Sequence, residues 1–169
     1  MTTIAAPSTS NAALPAARAI FAAINSKDLN GIPDYVTDDF VDHGSPVPLP
    51  PGPHGYTKIL TFVTRVLSIR YEVLDEFATA DRIAIRAVAH GVAVAPVHGE
   101  TFAGRPYTMP SLHIYRTEGD RLAEHWGVRD ELGVLQQIGA LPMPQLLRYE
   151  DAQFGWRRLA DRDPDPSRV

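Results

Sequence analysis

Apolar residues recur at helical spacing near the start of the chain. Leu14, Ala17, Ile20, Phe21 and Ile24 fall on one stripe, which predicts a helix with a single buried face. Asn11 is its expected N-cap, and Pro15 is tolerated because it falls in the first turn. Residues 25–30 break the pattern, residues 29–36 predict a short second helix with Pro33 near its start, and residues 39–43 a short extended piece. Five prolines between Pro46 and Pro53, together with Gly44, Gly52 and Gly55, exclude regular hydrogen-bonded structure and predict a stiff loop. Helical period returns over residues 56–69 through Ile59, Leu60, Phe62, Val63 and Val66, a third helix.

From Arg70 the period changes to two. Tyr71, Val73, Asp75 and Phe77 are expected on one face of a strand. Residues 82–95 set Ile83, Ile85, Ala87 and Ala89 against Arg82, Ala84, Arg86, Val88 and His90, with Gly91 expected as a bulge. Residues 107–116 and 121–128 predict a hairpin across Glu118, Gly119 and Asp120. Asp130 then caps a last helix through Leu132, Leu135 and Ile138, which Gly139 stops. Helices followed by a long antiparallel meander give an α+β class, a curved antiparallel sheet wrapped around the N-terminal helices with an open-ended cavity. Residues 1–10 are expected to be a flexible leader, residues 11–140 one domain, and residues 141–169 a C-terminal extension. In that extension Leu146, Leu147, Phe154 and Trp156 suit one more helix before a disordered end.

Composition narrows the function. With 169 residues, 44% hydrophobic and 21% charged, the chain fits one ordinary globular domain. The net charge of −4 has the wrong sign for a protein that neutralises phosphates, so nucleic acid is not an expected partner. No cysteine is present, which removes thiolate nucleophiles and Cys-based metal sites. No stretch approaches the roughly 20 apolar residues of a membrane span, so a cytoplasmic location is expected. None of the six histidines has HxH or HExxH spacing, and no GxSxG, GxGxxG or phosphate loop occurs. No metal and no cofactor are therefore expected.

The candidate chemistry lies on the hairpin. A three-residue loop would set His113 directly opposite His125 on one face, with Tyr107, Met109, Ser111 and Tyr115 beside them as pocket lining. Leu112, Ile114, Leu122, Trp126 and Val128 would occupy the other face, suited to helices or a partner subunit. Imidazole titrates near neutral pH, so His125 and His113 are candidate proton carriers, while an inward histidine can equally just satisfy a buried hydrogen bond. Asp130 could orient His125, although capping alone explains it. Asp42 and His43 offer a second acid and base pair before the proline loop.

DDFVDHGSP from Asp38, GPHGYTKIL from Gly52 and SLHIYRTEGDRLAEHWGVRDELGVLQQIG from Ser111 resemble the SnoaL-like polyketide cyclases, also known as ester cyclases, over about residues 15–139. The resemblance implies the nuclear transport factor 2-like cone, assembled as a dimer or tetramer. It also implies cofactor-free and metal-free aldol cyclisation with a carboxylate as acid and base. That family aspartate stands two residues after the histidine matched by His125, and here the position is Gly127. Asp130 matches a family aspartate at the next helix start. Three functions are open: an acid/base enzyme on a hydrophobic carbonyl or polyketide-like substrate, with His125 or His113 moving the proton; a non-catalytic small-molecule binding protein, favoured by Gly127; and an interaction module using Trp126, Phe154 and Trp156.

Overall fold

Helix α1 (Leu14–Ser26) buries Ala16, Ala17, Ile20, Phe21, Ala23 and Ile24, the face that its spacing predicts. These are among residues 11–94 and 101–141, which the computed structural model describes; the predicted leader, the C-terminal helix and the chain's end lie outside them. Asn11 is not the N-cap, which is Ala13. It works from two residues further out, where its carbonyl accepts the Ala13 N–H at 2.9 Å and its amide donates to Thr79 O at 2.9 Å and Thr117 Oγ1 at 3.1 Å. The start of α1 is thereby tied to the sheet.

Helix α2 is one turn only (Ile32–Tyr35), because the β-branched Val36 and Thr37 already belong to strand β1 (Val36–Asp42). The stiff loop ends one residue before Gly52, where α3 (Gly52–Thr61) begins with Pro53 in its first turn, a position that proline suits. Gly55 is required there, since a Cβ would lie 1.8 Å from Pro50 O. The helix then widens into a π turn (Phe62–Val66), closed by Leu67 N–H to Phe62 O at 3.1 Å, and stops three residues short of the predicted end.

Strands β2 (Arg70–Ala78), β3 (Arg82–Val92), β4 (Pro106–Glu118) and β5 (Arg121–Arg129) follow, and α4 (Glu131–Gln137) closes the described fold. The sheet is curved and unclosed, in the order β1-β5-β4-β3-β2. It is antiparallel except at β1, which runs parallel to β5 at the edge. Ile83, Ile85, Ala87 and Ala89 of β3 are buried, as the alternation predicts.

Two expected irregularities moved. Gly91 is no bulge: β3 pairs with β4 without a break, and Gly91 is small because a Cβ would meet Tyr107 Oη at 2.4 Å. The bulge is in β2 between Val73 and Asp75, and it turns the strand over, so that Tyr71 is buried and Phe77 is 67% exposed. The predicted common face of Tyr71, Val73, Asp75 and Phe77 does not exist. The β4–β5 loop is also shorter than expected, since Glu118 pairs with Arg121. An extra residue, Ala123, then shifts the register between Thr117 and Arg116, and Leu122, expected outside, is fully buried. Leu112, Ile114, Trp126 and Val128 do face outward and are exposed. No helix among the described residues is long and apolar enough to cross a membrane.

Candidate active site

The shorter loop and the extra residue together displace the hairpin by two positions from the expected pairing. His113 is opposite Gly127, and Tyr115 is opposite His125. A shift of two keeps every side chain on its face, because the strand period is two. His113 and His125 are therefore diagonal neighbours on the inner face, with rings stacked at 5.3 Å and His113 Nδ1 3.0 Å from His125 Nε2. They are not directly opposite each other, but they touch.

Strand β1 supplies the third member. Its parallel pairing brings Asp42 beside His125, and His43 N–H donates to His125 O at 2.8 Å. Asp42 Oδ1 lies 2.7 Å from His125 Nδ1, with the two side chains only 5% and 3% exposed. The same oxygen accepts the Gly44 N–H at 2.9 Å, which leaves Oδ2 without a hydrogen bond among the described residues. At the other end His113 Nε2 is 3.1 Å from Ser111 Oγ, itself 3.2 Å from Ala87 O. Asp42, His125, His113 and Ser111 thus form one buried hydrogen-bonded chain.

Donor and acceptor counting fixes how this chain is protonated. A carboxylate at Asp42 accepts a hydrogen bond from His125 Nδ1–H, so His125 Nε2 accepts from His113 Nδ1–H, and His113 Nε2 accepts from the Ser111 hydroxyl. One added proton reverses the polarity: His125 becomes imidazolium, His113 donates to Ser111, and the Ser111 hydroxyl turns to Ala87 O. Burial favours the neutral imidazoles. It holds His113 well below the usual histidine range, helped by His125 and by the charge of Arg129. His125 is also lowered, because burial outweighs the upward pull of Asp42.

Around the pair is an aromatic wall. Tyr115 stacks on His125 at 4.8 Å, Phe21 and Tyr71 meet His113 edge-on at 5.2 and 5.4 Å, and Tyr56 Oη is 3.4 Å from Tyr115 Oη. Burial pushes the phenols of Tyr56 and Tyr115 up, so both remain protonated donors. The cavity is about 30 Å³ and partly open, and Ile59, Leu60 and Val63 of α3 and the π turn form one of its walls. That is room for about two waters.

The other expected site residues are elsewhere. Asp130 caps α4, accepting the Gly133 N–H at 2.8 Å, and does not line the cavity. His43 turns to the outer face, where it stacks on Trp126 at 4.8 Å and meets Glu124 at 2.8 Å. Met109 is buried in the core away from the cavity, and Tyr107 is half-buried over Gly91. Sequence reasoning missed Tyr56, Tyr71 and Arg129 as lining residues. Arg129 had a signal, since residues 125, 127 and 129 share one side of a strand. Among the described residues no three His, Asp or Glu side chains converge as metal ligands do.

Comparison with known proteins agrees with this architecture. IdmH from Streptomyces antibioticus, a proposed polyketide cyclase, is 28% identical with a TM-score of 0.64, over 74% of this chain and 96% of that one. A SnoaL-like polyketide cyclase from Agrobacterium tumefaciens is 20% identical with a TM-score of 0.63, covering 73% and 95% of the two chains. AclR from Streptomyces galilaeus, a proposed hydroxylase, is 21% identical with a TM-score of 0.63, over 78% of this chain and 88% of that one. No curated protein matches the chain significantly. The pattern of one family extends from the first turns of α1 to the end of α4, residues 15–138, and the chain belongs to that family, the SnoaL-like polyketide cyclases.

Proposed function

We propose that this chain is an acid/base enzyme working without a cofactor on a hydrophobic carbonyl or polyketide-like compound, removing a proton from the carbon next to the carbonyl. The contact of Asp42 Oδ1 with His125 Nδ1, buried at the cavity wall, is the observation that carries the reading. Asp42 lines the cavity with one oxygen unbonded, and His125 and His113 stand behind it ready to take up or return a proton. A carboxylate at Asp42 thus offers acid/base chemistry although Gly127 has none. Cyclisation, isomerisation and dehydration can each start from that proton removal, and hydrolysis needs the same acid/base pair to activate water. A polyketide-sized ligand needs several hundred Å³, so binding has to displace the wall made by Ile59, Leu60 and Val63.

The test is exchange of the α-protons of 2-tetralone in D2O, followed by NMR. Wild type should accelerate exchange, and His125→Ala should lose about 10²–10⁴-fold of that rate while binding the ketone within a modest factor. Exchange that His125→Ala leaves intact removes this histidine from the mechanism.

One observation favours a second reading, a binding protein without catalysis. All four ring nitrogens of His113 and His125 are already engaged with protein atoms. In that case wild type catalyses no exchange, and His125→Ala changes affinity instead.

The outer face suits a second copy of this chain, and we take the enzyme to be a homodimer. Leu74, Val88, Leu112 and Val128 line a shallow depression of about 490 Å³ there, and Val128 is 73% exposed. Light scattering should give a dimer for wild type and a monomer for Val128→Glu. A monomeric wild type at micromolar concentration rejects this assembly.

A further inference from the structure

Gly127 has ordinary backbone geometry, as it is absent from the glycines with positive φ. Its lack of a side chain serves space instead. A Cβ at this position would lie 2.9 Å from Arg129 Nη2 and 3.3 Å from His125 Cε1. The guanidinium of Arg129 therefore lies across Gly127, close to the edge of the His125 ring, and lines the cavity.

This arginine differs from Arg86 and Arg116, which are held in ion pairs on the sheet. Arg86 pairs with Asp75, and Arg116 with Glu118 and Glu124. Among the described residues Arg129 forms no ion pair; its Nη1 donates to Gly44 O at 3.1 Å, and its side chain also reaches the Tyr71 hydroxyl. Its charge nevertheless reaches the whole site: burial dominates the shifts of His113, His125, Tyr71 and Tyr115, and Arg129 adds a downward pull in all four. Asp42, on the same side, gives its Oδ1 to His125 and Gly44 and keeps Oδ2 for the substrate proton.

We propose that Arg129 is the oxyanion-binding group of this cavity, given its place by Gly127, so that the site takes enolisable carbonyl compounds whose oxygen becomes an enolate or phenolate. The inference rests on the proposed proton removal for its place in the reaction. When the α C–H bond breaks, its proton goes to Asp42 and the electron pair moves through the carbonyl onto oxygen. The Asp42–His125–His113 chain then gains one positive charge, and the substrate gains one negative charge. A fixed guanidinium beside that oxygen favours the charged state over the neutral ketone. Charge is conserved within the cavity, and Arg129 meets the anion only once the proton has left.

The probe is 4-nitrophenol, a planar phenol whose ionisation near neutral pH is visible in its absorbance. Wild type should bind the phenolate at least about tenfold more tightly than the phenol, the loss expected when one oxyanion donor is removed being larger still. Arg129→Met should abolish the preference. Gly127→Ala should weaken it with the fold intact, because the clash falls on the end of a flexible side chain. Arg129→Lys, which keeps a charge without the fork, should retain part of it, and these last two variants carry the test if Arg129→Met does not fold. Tighter binding of the phenol, no binding by wild type, or an undiminished phenolate preference in Arg129→Met or Gly127→Ala overturns the assignment. Ketone exchange separates this from failure of the proposed function: exchange without phenolate preference rejects Arg129 alone, whereas phenolate preference without exchange rejects the proton removal.

Discussion

Asp42→Asn should lower α-proton exchange by about 10²–10⁴-fold, the range that a positioned acid/base group contributes. Asparagine is nearly the same size, and its carbonyl can still accept the protons of His125 Nδ1 and Gly44 N–H that Asp42 Oδ1 accepts now. Packing and orientation are kept, and the negative charge is lost. Two effects follow. The oxygen facing the cavity is no longer a base, and His125 loses the one neighbour that raises its pKa against burial. The acid limb of the pH–rate profile should consequently move to lower pH in Asp42→Asn. A residue with only a structural role would lower the rate without moving that limb. Thermal unfolding of the variant, measured alongside, shows whether packing has been kept. Exchange within threefold of wild type, with the acid limb unmoved, would exclude Asp42 as the base.

The inner face of the hairpin was legible in the sequence because strand period tolerates an error of two. The loop was misjudged by one residue and the bulge at Ala123 adds another, yet His113, Tyr115 and His125 still face the same way. Leu122, on the near side of the bulge, shows what an error of one does: it is buried where exposure was expected. The same device defeated the reading of β2, where the bulge between Val73 and Asp75 has no mark in the pattern. Asp42 was legible as an acid before the proline loop, but its partner is 83 residues away and is met only through the parallel pairing of β1 with β5. Short-range periodicity carries no information about which strand lies at an edge. Asp130, with the stronger local case for orienting His125, proved to be a cap, the reading its position before a helix already allowed. Gly127 looked like a deletion of chemistry from its own position. The side chain that uses the space is two residues further on, along the same face.

Stability should fall as the solution is acidified below the ordinary histidine range. His113 and His125 are both lowered by burial in the folded protein, whereas in the unfolded chain each titrates near about 6.5. Below that pH the unfolded chain binds protons that the folded one excludes. Stability is therefore complete above about pH 6.5 and is lost as pH falls towards the folded values. Each excluded proton costs about 1.4 kcal/mol per pH unit, so the slope should grow from near zero well above about pH 6.5 towards at most two protons, steepest between about pH 6.5 and the lower folded values. His125 should stop contributing first, because Asp42 offsets part of its burial and lets it accept a proton sooner. His113, with His125 and Arg129 beside it and no carboxylate, should keep excluding its proton to lower pH. Urea midpoints measured between about pH 7.5 and 5 test this, and His113→Gln, which can still reach His125 and Ser111, should flatten the lower part of the curve. Against a typical folding free energy of about 5–15 kcal/mol, the loss across that range is large enough to read directly. A midpoint that stays constant down to about pH 5 would mean that the folded protein accepts protons on both histidines as readily as the unfolded chain does, so that burial does not lower either of them.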